Sequence, residues 1–126
     1  MRNIEEQEQT AVFRWARMQE SAHPELALMH HIPNGGARSK ATAGRLKAEG
    51  VKAGIPDICL PVPKNGYGAL YIELKVPENK ALGVRKGRVS DYQAAMLKSL
   101  SDYGNRAVVC YGAEEAIRAI KEYIGA

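Results

Sequence analysis

Three charged side chains in two apolar segments have the types and the spacing of a metal-dependent hydrolytic site. Asp57 ends the fragment Gly-Ile-Pro-Asp at 54–57, and Glu73 and Lys75 lie inside the apolar segment 72–76. Because side chains alternate between the two faces of a strand, Glu73 and Lys75 share one face and apolar residues occupy the other. Charges in such a segment are costly to bury unless they meet a metal, a counter-charge or solvent. We therefore expect the two carboxylates to bind a hard divalent cation.

Phosphodiester hydrolysis is a reaction that these residue types suit. It requires a nucleophilic water, neutralisation of charge on the phosphate oxygens and help for the leaving oxygen, and metal ions can contribute to all three. The carboxylates of Asp57 and Glu73 suit Mg²⁺ or Mn²⁺ better than Zn²⁺, because the first two ions favour oxygen ligands and retain waters. Lys75 can orient the attacking water and help to lower its pKa. A plain salt bridge between Lys75 and Glu73 is the alternative.

The residues around these charges carry a resemblance to a known family. The fragments Pro-Asp at 56–57 and Glu-Leu-Lys at 73–75 match the two motif halves of the PD-(D/E)xK phosphodiesterase superfamily. A longer pattern, spread over nearly the whole chain, resembles the VRR-NUC branch, the virus-type replication and repair nucleases. Its matching positions are HIPNGG at 31–36, GVKAGIPD at 50–57 and IELK at 72–75, followed by Ser90 and Gln93. The resemblance implies an α/β restriction-endonuclease-like core, a central mixed β-sheet flanked by helices, and Mg²⁺ as cofactor with Mn²⁺ as its substitute.

The resemblance also implies roles for further residues. The backbone carbonyl of Leu74 is expected to join Asp57 and Glu73 as a metal ligand. Gln93, one turn into a later predicted helix, is expected to bind a water of the metal or a phosphate, with an ordinary surface position as the alternative. Ser90 is predicted to cap that helix rather than to catalyse.

The first predicted helix is expected to supply one more acid. In the family a carboxylate four residues before a glutamine is common there, and Glu5 with Gln9 fits this spacing on one helical face. Glu6 and Glu8 leave the assignment open. Acidic residues also favour the first turn of a helix because of its dipole, so a purely structural role is the alternative for each glutamate. Glu5 is our predicted site residue.

Polar and basic residues predict a DNA-binding surface around this site. His31 belongs to the family-like string, and alternation along a strand places its neighbour His30 on the opposite face. The glycine-rich turn that follows has donors that can hold a phosphate, although a plain turn is equally compatible with its sequence. Basic residues also concentrate in the segment 77–89. The predicted nucleic-acid-binding residues are His31, Asn34, Arg38, Lys52, Arg85, Lys86 and Arg88.

Periodicity and turn signals predict the elements that position these residues. Apolar residues at intervals of three and four predict a helix over 4–20. Strands over 57–62 and 69–76 predict a hairpin that brings Asp57 near Glu73. The other predicted elements are a strand over 26–32, a short basic helix over 39–49 with Ser39 as its cap, an exposed loop over 77–89, a helix over 90–103, a strand over 106–111 and a helix over 113–124. This order indicates helices packed on a central sheet.

Length and composition agree with one compact domain over residues 1–126. The 18 Lys and Arg against 14 Asp and Glu give a formal charge of +4, which is compatible with a polyanionic partner without proving one. Cys59 and Cys110 lie in apolar runs, where buried free thiols are expected. No run approaches the roughly 18 apolar residues of a membrane span. We expect an intracellular protein in the cytoplasm, or in the host cytoplasm if it is phage-encoded.

Together these features predict a Mg²⁺-dependent DNA endonuclease. By resemblance the leading substrate is a four-way, Holliday-type junction, because single-domain VRR-NUC proteins look like junction resolvases. Cutting two strands symmetrically requires two active sites related by a twofold axis, so we expect a homodimer. The alternatives are a nickase or flap nuclease of looser structure preference, and a noncatalytic DNA-binding subunit. The intact triplet of Asp57, Glu73 and Lys75 argues against the noncatalytic alternative.

Overall fold

The computed structural model describes residues 3–33 and 39–126, which form a four-stranded sheet flanked by helices. The helices are α1 (Ile4–Gln19), α2 (Lys40–Ala48), α3 (Asp91–Asp102) and α4 (Ala113–Ile124). The strands are β1 (His30–His31), β2 (Ile58–Leu60), β3 (Leu70–Lys75) and β4 (Arg106–Tyr111). Two 3-10 helices occur at Pro24–Leu28 and Lys80–Leu82. The predicted α/β fold class is confirmed.

The sheet is mixed and has the strand order β1-β2-β3-β4. The pairs β1/β2 and β2/β3 are antiparallel, and β3/β4 is parallel, with α3 in the connection between them. A parallel pair needs such a long crossover, whereas the antiparallel pair β2/β3 closes as a hairpin. Its register pairs Ile58 with Ile72 and Leu60 with Leu70. The hairpin is the one that the strand and turn signals predicted.

The core lies between one face of the sheet and the helices α1 and α4. Leu70, Ile72 and Leu74 alternate along β3 and are at most 1% exposed. They therefore share the apolar face, and Glu73 and Lys75 extend from the other face of the strand. The remaining core residues are Val12 and Ala16 of α1, Leu26, Met29, Ile58, Leu60, Cys110, and Ala113, Ala116, Ile120, Tyr123 and Ile124 near or in α4.

The side chain of the N-cap residue caps three of the α-helices in the described part of the chain. Asn3 accepts a hydrogen bond from the Glu6 N–H at the start of α1, with 2.7 Å between the atoms. Ser39 and Ser90 accept equivalent bonds at α2 and α3, both 3.1 Å long. Such caps satisfy N–H groups that have no partner within the helix. The predicted roles of Ser39 and Ser90 are confirmed.

The predicted strand over 26–32 is largely wrong. The segment Pro24–Leu28 is a 3-10 helix, and only His30–His31 forms a strand. Proline fits the first turn of a helix because its φ is already helical and its missing N–H is not needed there. Leu26 and Met29, three residues apart, are both buried, which matches the three-residue repeat of a 3-10 helix. The short apolar run allowed either interpretation.

The segment 77–89 contains more structure than the predicted exposed loop. Asn79 caps the 3-10 helix Lys80–Leu82, and the Gly87 N–H donates to the Val76 carbonyl at 2.8 Å. Lys86 Nζ lies 4.0 Å from the centre of the Tyr111 ring, a cation–π distance. Most of the segment is nonetheless exposed, as predicted. These contacts hold it against the ends of β3 and β4.

The structure bears on two expectations from composition, which concern the cysteines and membrane-spanning segments. Cys59 and Cys110 are free and buried, as predicted, and burial raises the pKa of the Cys110 thiol to about 12. Within residues 3–33 and 39–126, no helix has the length and apolar character to cross a membrane.

Candidate active site

The antiparallel hairpin brings the two predicted acids together. Ile58 pairs with Ile72, so Asp57, one residue before β2, lies opposite Glu73 on β3. The Asp57 carboxylate accepts a hydrogen bond from the backbone N–H of Leu74, with 2.8 Å between Leu74 N and Asp57 Oδ2. The neighbouring strand therefore orients this carboxylate.

Glu73 is the only charged side chain buried within the described residues, with 2% of its surface exposed. Its Oε1 accepts a hydrogen bond from Gln93 Nε2 at 3.2 Å, whereas its Oε2 has no hydrogen-bond partner in the described part of the chain. Burial raises the pKa of Glu73 to about 9, the neighbouring Asp57 carboxyl raises it further, and Lys75 opposes the shift. A buried carboxyl of this kind binds a proton or a cation more readily than one in water.

Lys75 extends from β3 beside Glu73. Its Nζ lies 3.9 Å from Glu73 Oε1, and 14% of its side chain is exposed. The salt bridge considered as the alternative is therefore present, although this distance exceeds that of a hydrogen bond. Gly87 packs on the Lys75 side chain, because a Cβ at Gly87 would lie 3.2 Å from Lys75 Cβ. The loop thus restricts where the ammonium group can go, and its role in orienting water stays a prediction.

The structure distinguishes Glu8 from the other two candidate glutamates of α1. Glu5 and Glu6 line the same cleft as Asp57. Partial burial and then the charge of Asp57 raise the pKa of Glu5, while Lys75 and His31 lower it. Glu8 instead accepts a hydrogen bond from the Ala113 N–H at the start of α4, at 3.2 Å. Glu5 is therefore the acid of α1 that is electrostatically coupled to the predicted site, and Glu8 is a cap.

Gln93 links α3 to the site through both ends of its carboxamide. Its oxygen accepts the Ser90 N–H at 2.9 Å, which completes a capping box, and its nitrogen donates to Glu73. Gly54 permits this arrangement: a Cβ there would lie 2.4 Å from the Tyr92 carbonyl oxygen, and its φ is +80°. The first turn of α3 can approach the site because residue 54 has no side chain.

His31 lies in the cleft, as predicted from its place in the family-like string. Its Nδ1 is 2.8 Å from the Asp57 carbonyl oxygen, and the Ile32 N–H donates to the same oxygen at 2.7 Å. Because a carbonyl oxygen only accepts, the first bond requires a proton on Nδ1. The two bonds attach β1 to the backbone of Asp57.

These side chains form one cleft of about 580 Å³. It is lined by Asn3, Glu5, Glu6, Gln9, His31, Pro33, Ile55, Asp57, Glu73, Lys75 and Gln93. Four carboxyl groups and a single ammonium group therefore meet in one concavity, which concentrates negative charge. Such a cleft attracts cations rather than phosphate groups.

The few carboxylates in the cleft suit Mg²⁺, which completes its coordination with water, better than a metal that is bound by protein ligands alone. Within the described residues, no three His, Cys, Asp or Glu side chains meet closely enough to hold a metal between them. Mg²⁺ keeps several waters and commonly takes only one or two carboxylates from a protein. Asp57 and Glu73, with the unpartnered Oε2 of Glu73, are compatible with that coordination.

Comparison with known proteins assigns the family. A family model of the VRR-NUC domain matches residues 2–114. The chain belongs to the VRR-NUC family. A solved structure described as a VRR_NUC domain protein superposes with a TM-score of 0.80 and 28% sequence identity, over 99% of this chain and 91% of that chain. No curated protein matches the sequence. The protein is thus a member of a nuclease family, with DNA as the substrate.

Several predicted residues of this VRR-NUC protein lie outside the cleft lining. Lys86 contacts the Tyr111 ring, and Lys52, Arg85 and Arg88 are exposed elsewhere. Their contacts with DNA stay predictions. The predicted residues Asn34 and Arg38 lie outside the described residues. The Leu74 N–H bonds Asp57, while the predicted role of the Leu74 carbonyl as a metal ligand also stays a prediction.

Sequence reasoning named Gly54 and Glu8 but did not predict the structural roles that they have in this VRR-NUC protein. Gly54 was part of the motif, and its positive φ and its contact with Tyr92 explain why a glycine is there. Glu8 caps α4 from a distance of 105 residues along the chain. A hint existed at Gly112, which precedes α4 and has no side chain to cap it.

Proposed function

We propose that this VRR-NUC protein is a Mg²⁺-dependent endodeoxyribonuclease that cuts branched DNA, with a four-way, Holliday-type junction as its leading substrate. The observation that best supports it is the buried carboxyl of Glu73, which lies beside Asp57 and has an oxygen without a partner in the described residues. Two carboxylates this close repel each other, and a divalent cation relieves both the repulsion and the cost of burial. Mn²⁺ is expected to substitute for Mg²⁺ because it has the same preference for oxygen ligands.

Each cleft residue has a distinct role in this proposal. Bound Mg²⁺ supplies positive charge for the phosphate oxygens and activates water. Asp57 and Glu73 would hold the ion, with the Leu74 carbonyl as a third ligand. Lys75 orients the attacking water from the same strand. Gln93 holds the Glu73 carboxyl through the bond from its Nε2 to Oε1.

The surroundings of the cleft complete the proposed site. Glu5 supplies the further acid from α1, supported by its coupling to Asp57. Cations outside the acidic cleft bind the DNA backbone on either side of the scissile phosphate. The proposed DNA-binding residues are His31 in the cleft lining, the exposed residues Lys52, Arg85, Lys86 and Arg88, and Asn34 and Arg38, which lie outside the described residues.

Cleavage of end-labelled DNA by wild type and Asp57→Asn tests the proposal. The substrates are a four-way junction, a flap and a linear duplex, each with Mg²⁺, Mn²⁺ or a chelator. The asparagine oxygen can still accept the Leu74 N–H bond while the carboxylate charge is lost, so the variant should fold. We expect symmetric cuts on the junction that need both metal and Asp57.

The other outcomes identify the alternatives. Cuts confined to one strand, or equal cutting of flap and junction, would favour a nickase or flap nuclease. Tight binding of the junction with no cut under any metal would favour a noncatalytic DNA-binding subunit. Metal-dependent cutting that Asp57→Asn leaves unchanged would refute the site.

A further inference from the structure

Helix α3 carries an exposed tyrosine at each end. Tyr92, in its first turn, is 73% exposed, and Tyr103, directly after its last residue, is 88% exposed. Tyr92 immediately precedes Gln93, whose side chain reaches Glu73 in the cleft. The two tyrosines are 11 residues apart, so about 16 Å of helix separates them. Tyr92 therefore lies at the end of α3 that contacts the candidate active site, and Tyr103 lies at the opposite end.

The backbone of Tyr92 packs closely against Gly54. Its carbonyl oxygen packs on Gly54 so closely that a Cβ on residue 54 would lie 2.4 Å away. Tyr92 also lies within the capping box, whose two hydrogen bonds join Ser90 and Gln93. Among the described residues, neither another ring nor a cation stacks on the Tyr92 side chain. A single exposed tyrosine needs no explanation by itself, but this one extends from closely packed backbone, directly before Gln93, which lines the cleft.

The segment that precedes α3 has a charge that suits a nucleic acid. The segment 77–89, which leads into α3, contains four basic side chains and one acidic side chain, Glu78. Proteins that bind unpaired or unstacked nucleotides combine such cations, which follow the phosphates, with aromatic rings on which bases stack. Every base has a π-face, so this contact does not depend on sequence. Tyr92 and the segment 77–89 provide both components on adjoining parts of the chain.

We propose that Tyr92 stacks on the exposed face of a base at a DNA branch point, and that this contact gives the protein its preference for branched over linear DNA. The inference rests on the proposed function for its substrate class. Inside a linear duplex each base pair is covered on both faces by its neighbours. At a branch point an arm ends, and a base pair can lose one of these neighbours. The Tyr92 ring stacks on the base face that has lost its neighbour. This contact positions the scissile phosphate relative to Asp57 and Glu73.

Binding by the Asp57→Asn protein tests the contact without cleavage. We would measure its affinity for a four-way junction and for a linear duplex of matched sequence, alone and combined with Tyr92→Ala, Tyr92→Phe or Tyr103→Ala. Tyr92→Ala should weaken junction binding by about tenfold to hundredfold and leave duplex binding unchanged. Tyr92→Phe keeps an aromatic ring and should retain the preference. Tyr103→Ala is the matched control and should match the parent.

A fluorescent base gives a direct readout of stacking. With 2-aminopurine at the branch point, the parent and Tyr92→Phe should quench its emission, and Tyr92→Ala should not. Equal junction preference or equal quenching in the parent and Tyr92→Ala would overturn the proposal. So would a loss of binding that Tyr103→Ala reproduces, or a change in oligomeric state of Tyr92→Ala on gel filtration, which would place Tyr92 in a protein interface. A parent that shows no preference for the junction would overturn it too.

These results are separable from those for the nuclease. The tyrosine contact is measured by binding in a variant that does not cut, whereas the nuclease proposal is measured by metal-dependent cutting in the unsubstituted chain. Cutting without any effect of Tyr92→Ala would refute the stacking alone. A Tyr92-dependent junction preference without cutting would refute the nuclease alone.

Discussion

Glu73 should make the stability of the metal-free protein depend on pH. Burial raises its pKa from 4.5 to about 9, so the folded protein binds a proton that the unfolded chain releases above pH 4.5. The free energy of unfolding should therefore fall as pH rises from about 5 to about 9, by at most about 1.4 kcal/mol per pH unit. Urea unfolding with a chelator present measures this slope.

Glu73→Gln should remove most of that slope and make the metal-free protein more stable near pH 8, because the amide has no charge to bury. Added Mg²⁺ should stabilise the wild type near pH 8 but leave Glu73→Gln unaffected. Glu114→Gln, at a highly exposed position, is the control and should keep the wild-type slope. Parallel pH curves for Glu73→Gln and wild type would contradict this account of the site.

Glu5 and Glu8 provide a matched pair of substitutions on one helix. Glu5→Gln should lower the rate of DNA cleavage by about tenfold or more, because it removes a charge coupled to Asp57, without loss of stability. Glu8→Ala should leave the cleavage rate unchanged and cost about 1 kcal/mol of unfolding free energy, because the Ala113 N–H loses its acceptor. Cleavage rates and urea unfolding of both variants check this pair. The reverse pattern would assign the catalytic acid to Glu8.

At the level of elements, the position of α3 depends on the close approach at Gly54. Gly54→Ala should cost roughly 1–3 kcal/mol of stability, because its φ of +80° strains an alanine and the new Cβ collides with the Tyr92 carbonyl. Cleavage should fall further than stability predicts, since the displaced α3 carries Gln93 away from Glu73. Gly44→Ala, inside α2 with open space around it, is the control and should raise stability by about 0.5–1 kcal/mol. Thermal unfolding and cleavage assays at a temperature where all variants are folded test both.

Sequence predicted the elements whose signals are local and missed the contacts that are not. The proximity of Asp57 and Glu73 followed from alternation and a hairpin, both of which are legible in a short stretch of chain. The strand over 26–32 was wrong because a short apolar run does not distinguish a strand from a helical turn. The cap that Glu8 provides to α4 could not be predicted from the sequence, because it joins residues 105 apart and produces no periodic pattern.

At the scale of the whole molecule, the proposed symmetric cutting requires two copies. A chain with one cleft should therefore form a twofold dimer, at the latest when it binds a junction. The oligomeric state of the Asp57→Asn protein can be measured by gel filtration with light scattering at micromolar concentration. The measurement is made with and without a bound four-way junction. Monomeric protein in both conditions would contradict the dimer and favour the nickase alternative. A dimer that forms only on DNA would be consistent with symmetric cutting.

The distribution of charge predicts how DNA binding responds to salt. The cleft is acidic while the chain as a whole carries +4, so its cations lie largely outside the cleft, where they can meet phosphates on either side of the cut. Each phosphate contact releases counterions and adds about one to the slope of log affinity against log salt. The double variant Arg85→Gln, Arg88→Gln should therefore reduce this slope by about two, measured by fluorescence anisotropy with Asp57→Asn protein between low and physiological salt. Arg118→Gln, on α4 and paired with Glu114, should leave the slope unchanged. Equal slopes for all three proteins would mean that the segment 77–89 lies away from the DNA.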